Sequence, residues 1–261
     1  MHKINEFIIK KNQEKIICLT AYTYPIAKII NQFCDIILVG DSLGMTIYGY
    51  QDTVDVNLEM MINHAKAVKK GAPNSLIMVD LPFGTYEESN EQALKNAQKI
   101  INASACDAVK LEVTPNLVER IEFLVKNKIN VVGHVGLLPQ HVRKIGGYKY
   151  QGKDEKSAKE ILNTAKEIEK AGAFALVIEA TPAILAEKIT QEINIPTIGI
   201  GASEKCDGQV LVIDDLLGLN QDFCPKFVKR YENLAEKIKT ACAQFSREVK
   251  QEKFPSKEHL V

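Results

Sequence analysis

DAVKLE, residues 107–112, is a short apolar run that ends in charge. Read as a buried strand, it points Lys110 and Glu112 to one face and Val109 and Leu111 to the other. If the valine and leucine meet a helical shell, the lysine and glutamate face the axis of a barrel. Four more segments share this design. IILVGDS (36–42) ends in Asp41 and Ser42, LIMVDLPF (76–83) carries Asp80, VVGHVG (131–136) carries His134, and ALVIEAT (175–181) carries Glu179. Each functional group follows about four apolar residues, the signature of a buried parallel strand. A hydrophobic core has no reason to end its strands in carboxylates. A barrel enzyme does, because its chemistry sits where the carboxyl ends of the strands converge.

Outward from these segments, strand-like and helix-like runs alternate along the whole chain. Strands are expected at 16–20, 36–40, 75–80, 107–112, 130–134, 174–179, 196–201 and 209–213. Helices are expected at 58–70, 90–103, 116–127, 155–171 and 183–192, among others. Eight strands in βα alternation predict an α/β fold, a closed (β/α)8 TIM barrel rather than an open doubly wound sheet. The length of 261 residues suits one such barrel, and no linker, repeat or low-complexity tract divides it, so residues 1–261 are expected to form a single domain with extra terminal helices. Gly71, Asn127 and Gly172 fall where helices want a left-handed residue, and Pro115 and Pro182 suit first turns. Residues 4–12 predict a helix before the first strand that covers the barrel bottom. From Phe223 the tail places Phe227, Val228, Tyr231, Leu234 and Ile238 at helical spacing, to close the barrel base or meet another subunit. Two long connections, 41–57 and 136–154, have the character of lids or substrate walls.

Composition narrows the function. Charged residues make up 25% with a formal net charge of zero, so a sequence-independent phosphate binder is excluded, and neither nucleic acid nor an anionic membrane is an expected partner. The first twenty residues contain no signal-length apolar run, and no segment approaches the roughly 20 apolar residues that span a bilayer. A cytoplasmic protein is expected. The cysteines (Cys18, Cys34, Cys106, Cys206, Cys224, Cys242) show no CxxC pairing and read mostly as small core fillers in a reducing compartment.

Asp41, Asp80 and Glu112 end three separate strands. Three convergent oxygen donors suit a hard cation such as Mg2+, whereas zinc usually recruits histidine or cysteine. Helix capping is the alternative for any one of these acids. An inward Lys110 can pair with Glu112 or Asp80, or hold a substrate oxyanion. His134, between small neighbours that would let a ligand approach, reads as a hydrogen-bond partner of the substrate or as a core histidine. Glu179 is not needed for the metal set and suits a proton acceptor, with a helix-N-terminal acid as the alternative. Ser42 could offer its hydroxyl and amide to a carboxylate. IGIGAS (198–203) is a weak anion-cradle signal without a full dinucleotide fingerprint. Together these groups suggest metal-assisted enolisation of a 2-oxo acid. Residue types alone do not identify the electrophile.

Longer motifs do. LTAYTYPIAKI, VGDSLGMTIYGY, HAKAVKKGAPNSLIMVDLPFGTYEES, VKLE, VVGHVGLLPQ, GGYKYQGK, IGIGA and CDGQVLVIDDLLGL occur in order between about residue 16 and residue 231. In them the chain resembles the ketopantoate hydroxymethyltransferase family. The resemblance implies a barrel of the phosphoenolpyruvate/pyruvate type and transfer of a hydroxymethyl group from 5,10-methylenetetrahydrofolate to 3-methyl-2-oxobutanoate through an enolate held at Mg2+, giving 2-dehydropantoate and tetrahydrofolate in pantothenate biosynthesis. By motif it implies Asp41, Asp80 and Glu112 as Mg2+ ligands, Asp41, Ser42, Asp80, Lys110 and His134 as substrate contacts, and Glu179 as the proton acceptor. It also implies a large homo-oligomer such as a homodecamer. The chain departs from the usual family pattern at Thr23, Val113, Thr114, Leu138 and Ser203, none of which is a ligand or base. The loop 146–152 is a candidate border of the folate site.

Two rival readings remain open at this stage. Another metal-enolate lyase or mutase of the same superfamily would often carry a cysteine in a long mouth loop, and neither 41–57 nor 136–154 contains one. A non-catalytic scaffold barrel would be expected to lose some inward functional groups, yet all are present.

Overall fold

In the computed structural model, which describes residues 2–221 and 224–260, the eight apolar runs are parallel strands. They are β1 (Ile16–Thr20), β2 (Ile36–Val39), β3 (Leu76–Asp80), β4 (Ala108–Glu112), β5 (Val131–Gly136), β6 (Ala175–Glu179), β7 (Thr197–Ile200) and β8 (Gly208–Leu211). Each strand pairs with its sequence neighbours, and β8 pairs with β1 to close the barrel. β8 ends before the expected boundary because Ile213–Leu216 forms a helical turn.

The barrel interior follows strand parity. Ile16 and Cys18, Ile36 and Leu38, Leu76 and Met78, Ala108, Val132, Ala175 and Val177, Ile198 and Val210 form one buried cluster. Ile4 and Phe7 from the first helix, His2–Ile8, join it, with Phe7 meeting the Phe174 ring edge-on at 5.8 Å. The expected cover over the amino-terminal mouth is therefore present. Burying each such aliphatic side chain contributes on the order of 2 kcal/mol, so this layer fixes the barrel. Continuing the same parity toward the carboxyl ends leads to Asp80, Lys110, Glu112, His134 and Glu179. Val109 and Leu111, on the opposite face of β4, are also buried, as the alternation required.

Local signals account for most helix ends. Asn57, Ser89 and Asp154 accept hydrogen bonds from the backbone N–H groups of Met60, Gln92 and Ser157 and so cap the helices Leu58–Gly71, Asn90–Ser104 and Glu155–Lys170. Gly172 takes the expected left-handed conformation, at φ 95°. Two expectations of this kind fail. Gly71 stays in the helix, where a Cβ would lie 2.5 Å from the Tyr24 carbonyl oxygen, so its role is close packing. After the helix Val118–Lys126, Lys128 takes the left-handed conformation in place of Asn127.

The chain divides into two compact units, Met1–Val212 and Ile213–Val261. In the second unit the main helix is Leu234–Lys250, capped by the Asn233 side chain. The helical spacing expected from Phe227 through Tyr231 does not become a helix. The N–H groups of Tyr231 and Leu234 instead donate to the carbonyls of Leu216 and Leu217. Phe223, where that expectation began, lies outside the described residues. Among the described residues no helix is long and apolar enough to cross a membrane.

Cys18, Cys106 and Cys206 are buried as core fillers, but Cys224 and Cys242 are exposed, which corrects the general reading for those two.

Candidate active site

The strand ends bring the charged side chains together at the carboxyl mouth of the barrel. Asp41, Asp80, Lys110, Glu112 and His134 are each only 2–6% exposed, so each needs partners to offset lost hydration. Asp80 Oδ1 lies 2.9 Å from Lys110 Nζ, and its Oδ2 accepts the backbone N–H of Asp41 at 3.0 Å. Lysine pairing was open between Asp80 and Glu112; the structure selects Asp80. Glu112 accepts the backbone N–H of Gln140, which is 3.1 Å from both carboxylate oxygens. The Gln140 Nε2 donates to Asp41 Oδ2 at 2.7 Å.

Capping does not explain these acids. The N-caps of the helices that follow Asp41, Asp80, Glu112 and Glu179 are Ser42, Ser89, Thr114 and Pro182, so none of the four acids occupies a cap position. The carboxylates of Asp41, Asp80 and Glu112 instead bond across strands, to Gln140, Lys110 and the Asp41 amide.

Lys110 Nζ stands 3.4 Å from His134 Nδ1. An ammonium can only donate, so Nδ1 is the acceptor and the ring proton sits on Nε2. Nε2 faces Glu179 Oε2 at 3.3 Å. Ser42 Oγ and the Tyr22 hydroxyl share a 2.7 Å hydrogen bond. Every residue expected at the site is thus at this mouth.

Burial raises Asp41, Glu112 and Glu179 alike, so the hydrogen-bond geometry and not the electrostatics separates these acids. Burial pushes the Glu112 carboxyl well above its usual range, and Asp41 adds repulsion. Burial and Asp80 raise Asp41 likewise. For Lys110 burial favours the neutral amine, but Asp80, Asp41 and Glu112 more than offset it and hold the ammonium. Burial, with Lys110 beside it, keeps His134 neutral. Burial raises Glu179 to about 7, partly opposed by Lys110. That value suits a group that must both take and return a proton near neutral pH.

Four carboxylates against one ammonium leave a buried excess of negative charge, which a divalent cation would relieve. Among the described residues no three His, Cys, Asp or Glu side chains stand close enough to hold one ion directly. The donor set fits Mg2+, which keeps several waters, better than an ion that demands a closed protein cage.

Two glycines near His134 serve packing, which corrects the reading that they open space for ligand. A Cβ on Gly133 would meet Ile168 Cγ2 at 2.6 Å, and one on Gly136 would lie 2.1 Å from the Glu179 carbonyl oxygen. Gly136 therefore lets β5 approach the backbone that carries Glu179. Ala180, next in the chain, holds the left-handed conformation at φ 45°. That costs a non-glycine residue on the order of 1 kcal/mol. The hydrogen bonds Ala180 N to Ile200 O and Gln151 N to Ala180 O, both 2.9 Å, hold it there. In IGIGAS, Gly199 makes room for Cys206, whose Sγ would lie 3.0 Å from an added Cβ. Packing, not an anion, accounts for that glycine.

Sequence reasoning missed Gln140, Tyr86 and the clasp between the two mouth loops. Arg143 donates to both Asp52 oxygens at 2.8 and 3.0 Å and to Asp55 at 2.6 Å. Met45 Sδ accepts from the Tyr148 hydroxyl at 3.3 Å. The forked guanidinium holds the Asp52 carboxyl below its usual range. Replacing Arg143 by alanine is expected to speed amide exchange in 41–57 and 136–154 by roughly tenfold, with the barrel strands unchanged. Exchange mass spectrometry reads this, and unchanged loop protection would show that the clasp does not order the mouth. The departures from the family pattern leave the site in place. Val113 extends the ladder through its N–H to His134 O at 2.9 Å, and Thr114 bonds Asn116.

A family profile described as ketopantoate hydroxymethyltransferase matches residues 2–257. The chain is 51% identical over 251 residues to the 3-methyl-2-oxobutanoate hydroxymethyltransferase of Paracoccus denitrificans (strain Pd 1222), covering 96% of this chain and 91% of that one. It is 50% identical over 250 residues to the protein of the same name from Chelativorans sp. (strain BNC1), covering 96% and 89%. Among solved structures it resembles a phosphonopyruvate hydrolase complex with oxalate and Mg++, with a TM-score of 0.62 and 13% identity over 100% of this chain and 92% of the other. A 2,3-dimethylmalate lyase of the PEP mutase/isocitrate lyase superfamily gives a TM-score of 0.61 at 12% identity, covering 99% and 92%. These structural likenesses show the barrel fold.

Proposed function

The chain belongs to the ketopantoate hydroxymethyltransferase family, and from that premise we propose that it transfers a hydroxymethyl group from 5,10-methylenetetrahydrofolate to 3-methyl-2-oxobutanoate. The observation that carries the mechanism is the separation of Glu179 from the other acids. Asp41 and Asp80 are tied to each other and to Lys110, and Glu112 to Gln140, while Glu179 faces only the neutral His134 ring among the groups described above.

Asp41, Asp80 and Glu112 would hold Mg2+, at least one of them through water. The bound ion would polarise the keto and carboxylate oxygens of the oxo acid and acidify C3. Lys110 offers a fixed ammonium to the oxyanion that develops on the substrate, in a site where burial strengthens the interaction. Ser42 offers its hydroxyl to the carboxylate, and His134 Nε2–H is the donor that meets the substrate beside Glu179. Glu179 takes the C3 proton. C3 then bonds to the methylene carbon of the folate, whose two C–N bonds break as water supplies the hydroxyl oxygen. The C3 proton and the water's second proton end on N5 and N10 of the departing tetrahydrofolate as 2-dehydropantoate forms. The folate would enter beside 146–152, where Tyr148 and Tyr150 are 43% and 41% exposed and present aromatic faces to a pterin.

The same reading carries a cytoplasmic setting and a large homo-oligomer, for which a decamer is the first size to test. Ile238 and Phe245 on the helix Leu234–Lys250 are exposed and suit contact between copies. Light scattering would give the subunit number, and a monomer at micromolar concentration would refute assembly.

The decisive experiment follows 3-methyl-2-oxobutanoate by NMR in D2O with Mg2+, then adds 5,10-methylenetetrahydrofolate. The expected result is metal-dependent C3 exchange followed by 2-dehydropantoate. Exchange without product would keep the enolisation and move the function to a sister enzyme. Neither from folded, metal-loaded protein would overturn the reading.

A further inference from the structure

Gln140 lies on none of the strands that carry the acids, yet it is the residue that joins two of them. It is 3% exposed, and every polar atom of its side chain has a partner. Its backbone N–H reaches both Glu112 oxygens at 3.1 Å. Its Nε2 donates to Asp41 Oδ2 at 2.7 Å and to the Leu81 carbonyl at 3.0 Å. Its Oε1 accepts from the Tyr86 hydroxyl at 2.6 Å, and that hydroxyl also lies 3.2 Å from the Glu112 carbonyl oxygen. A flipped amide would set its oxygen against a carboxylate and a carbonyl, so the chemistry of the neighbours determines the orientation.

An amide in this place does something a carboxylate or lysine could not. It bonds one oxygen of Asp41 without adding charge and makes no bond to the other. It likewise fixes the Glu112 carboxylate through the backbone. Tyr86, fully buried, holds the amide plane in turn.

We propose that Gln140, braced by Tyr86, is a positioning residue that orients the Asp41 and Glu112 carboxylates for a divalent cation. This rests on the metal reading given above. Outer partners of metal-binding carboxylates typically set affinity by 10–100-fold, and that is the scale expected here.

The test measures Mn2+ binding directly by electron paramagnetic resonance, with Mg2+ in competition, on the full chain and on two variants. Gln140→Met keeps the length of the side chain and its backbone N–H but loses the amide. It is expected to weaken Mn2+ and Mg2+ binding by about 10–100-fold while circular dichroism shows a folded barrel. Tyr86→Phe removes only the brace, is the milder change if Gln140→Met fails to fold, and is expected to weaken binding by about three- to tenfold. A residue that merely fills space would lower the melting temperature and leave the dissociation constant of the folded protein unchanged. Folded variants that bind both ions like the parent would therefore overturn the role of Gln140 alone. A parent protein that binds neither ion would overturn the metal reading and this proposal with it.

Discussion

Glutamine in place of Glu179 is expected to slow C3 proton exchange by roughly 10²–10⁴-fold, the usual scale for losing a general base, while 3-methyl-2-oxobutanoate binding stays within about threefold. The reason is placement. Glu179 makes no bond to Lys110, Asp41 or Asp80, so an amide there leaves their geometry intact. In the parent protein exchange should rise with pH through about 7 and level off above it, since only the carboxylate accepts a proton.

The same group makes a stability prediction of opposite sense. Its folded value, about 7, lies above the ordinary 4.5, so the folded state holds the proton more tightly than the unfolded chain. That contribution is fully present below pH 4.5 and is lost as pH rises toward and through 7. The side chain keeps 18% of its surface, which reduces the loss to about 2 kcal/mol at most. Glu179→Gln should therefore match the parent at pH 4 and exceed it in urea midpoint at pH 8. Urea denaturation at the two pH values checks this, and an equal midpoint at pH 8 would mean Glu179 is not destabilised by burial.

Asp80→Ala should fail differently. Asp80 is the ion-pair partner of Lys110 at 2.9 Å and the acceptor for the Asp41 amide. Removing it leaves a buried ammonium short of its nearest countercharge and a buried N–H without an acceptor. A broken buried pair costs about 3–5 kcal/mol, and the nearby Asp41 and Glu112 place this case at about 3. Metal-dependent binding of the oxo acid should weaken at least about 100-fold, since the lost carboxylate is taken to be a ligand as well as a support. Asp80→Asn, which keeps the shape, should recover part of the stability without recovering metal affinity. Calorimetric titration of Mg2+ and oxo acid into both variants reads these effects. If Glu179→Gln and Asp80→Asn lost oxo-acid binding equally, the separate proton-acceptor role of Glu179 would be untenable.

Much of this architecture was legible because strands are local objects. Four or five apolar residues followed by an acid announce a buried strand with a functional end, and the alternation of β4 placed Lys110 and Glu112 on one face before any contact was known. The family motifs then supplied the expected electrophile, which no spacing rule contains. The glycines were legible as positions but not as reasons. Gly133 and Gly136 answer to Ile168 and to the Glu179 carbonyl, neighbours that sequence distance hides.

The chain by itself determined which side chains point inward and at which end of the barrel they gather, because side-chain direction alternates with backbone geometry over two residues. Tertiary structure alone decided who pairs with whom. Lys110 takes Asp80, His134 turns Nε2 toward Glu179, and Gln140 reaches Asp41 across 99 positions of sequence. It also decided where the last long helix begins, since the backbone of Tyr231 and Leu234 is committed to Leu216 and Leu217. The physical reason is common to all of these: once strands close into a barrel, groups remote in sequence lie within hydrogen-bond reach, and desolvation makes each buried charge choose the partner that geometry places nearest.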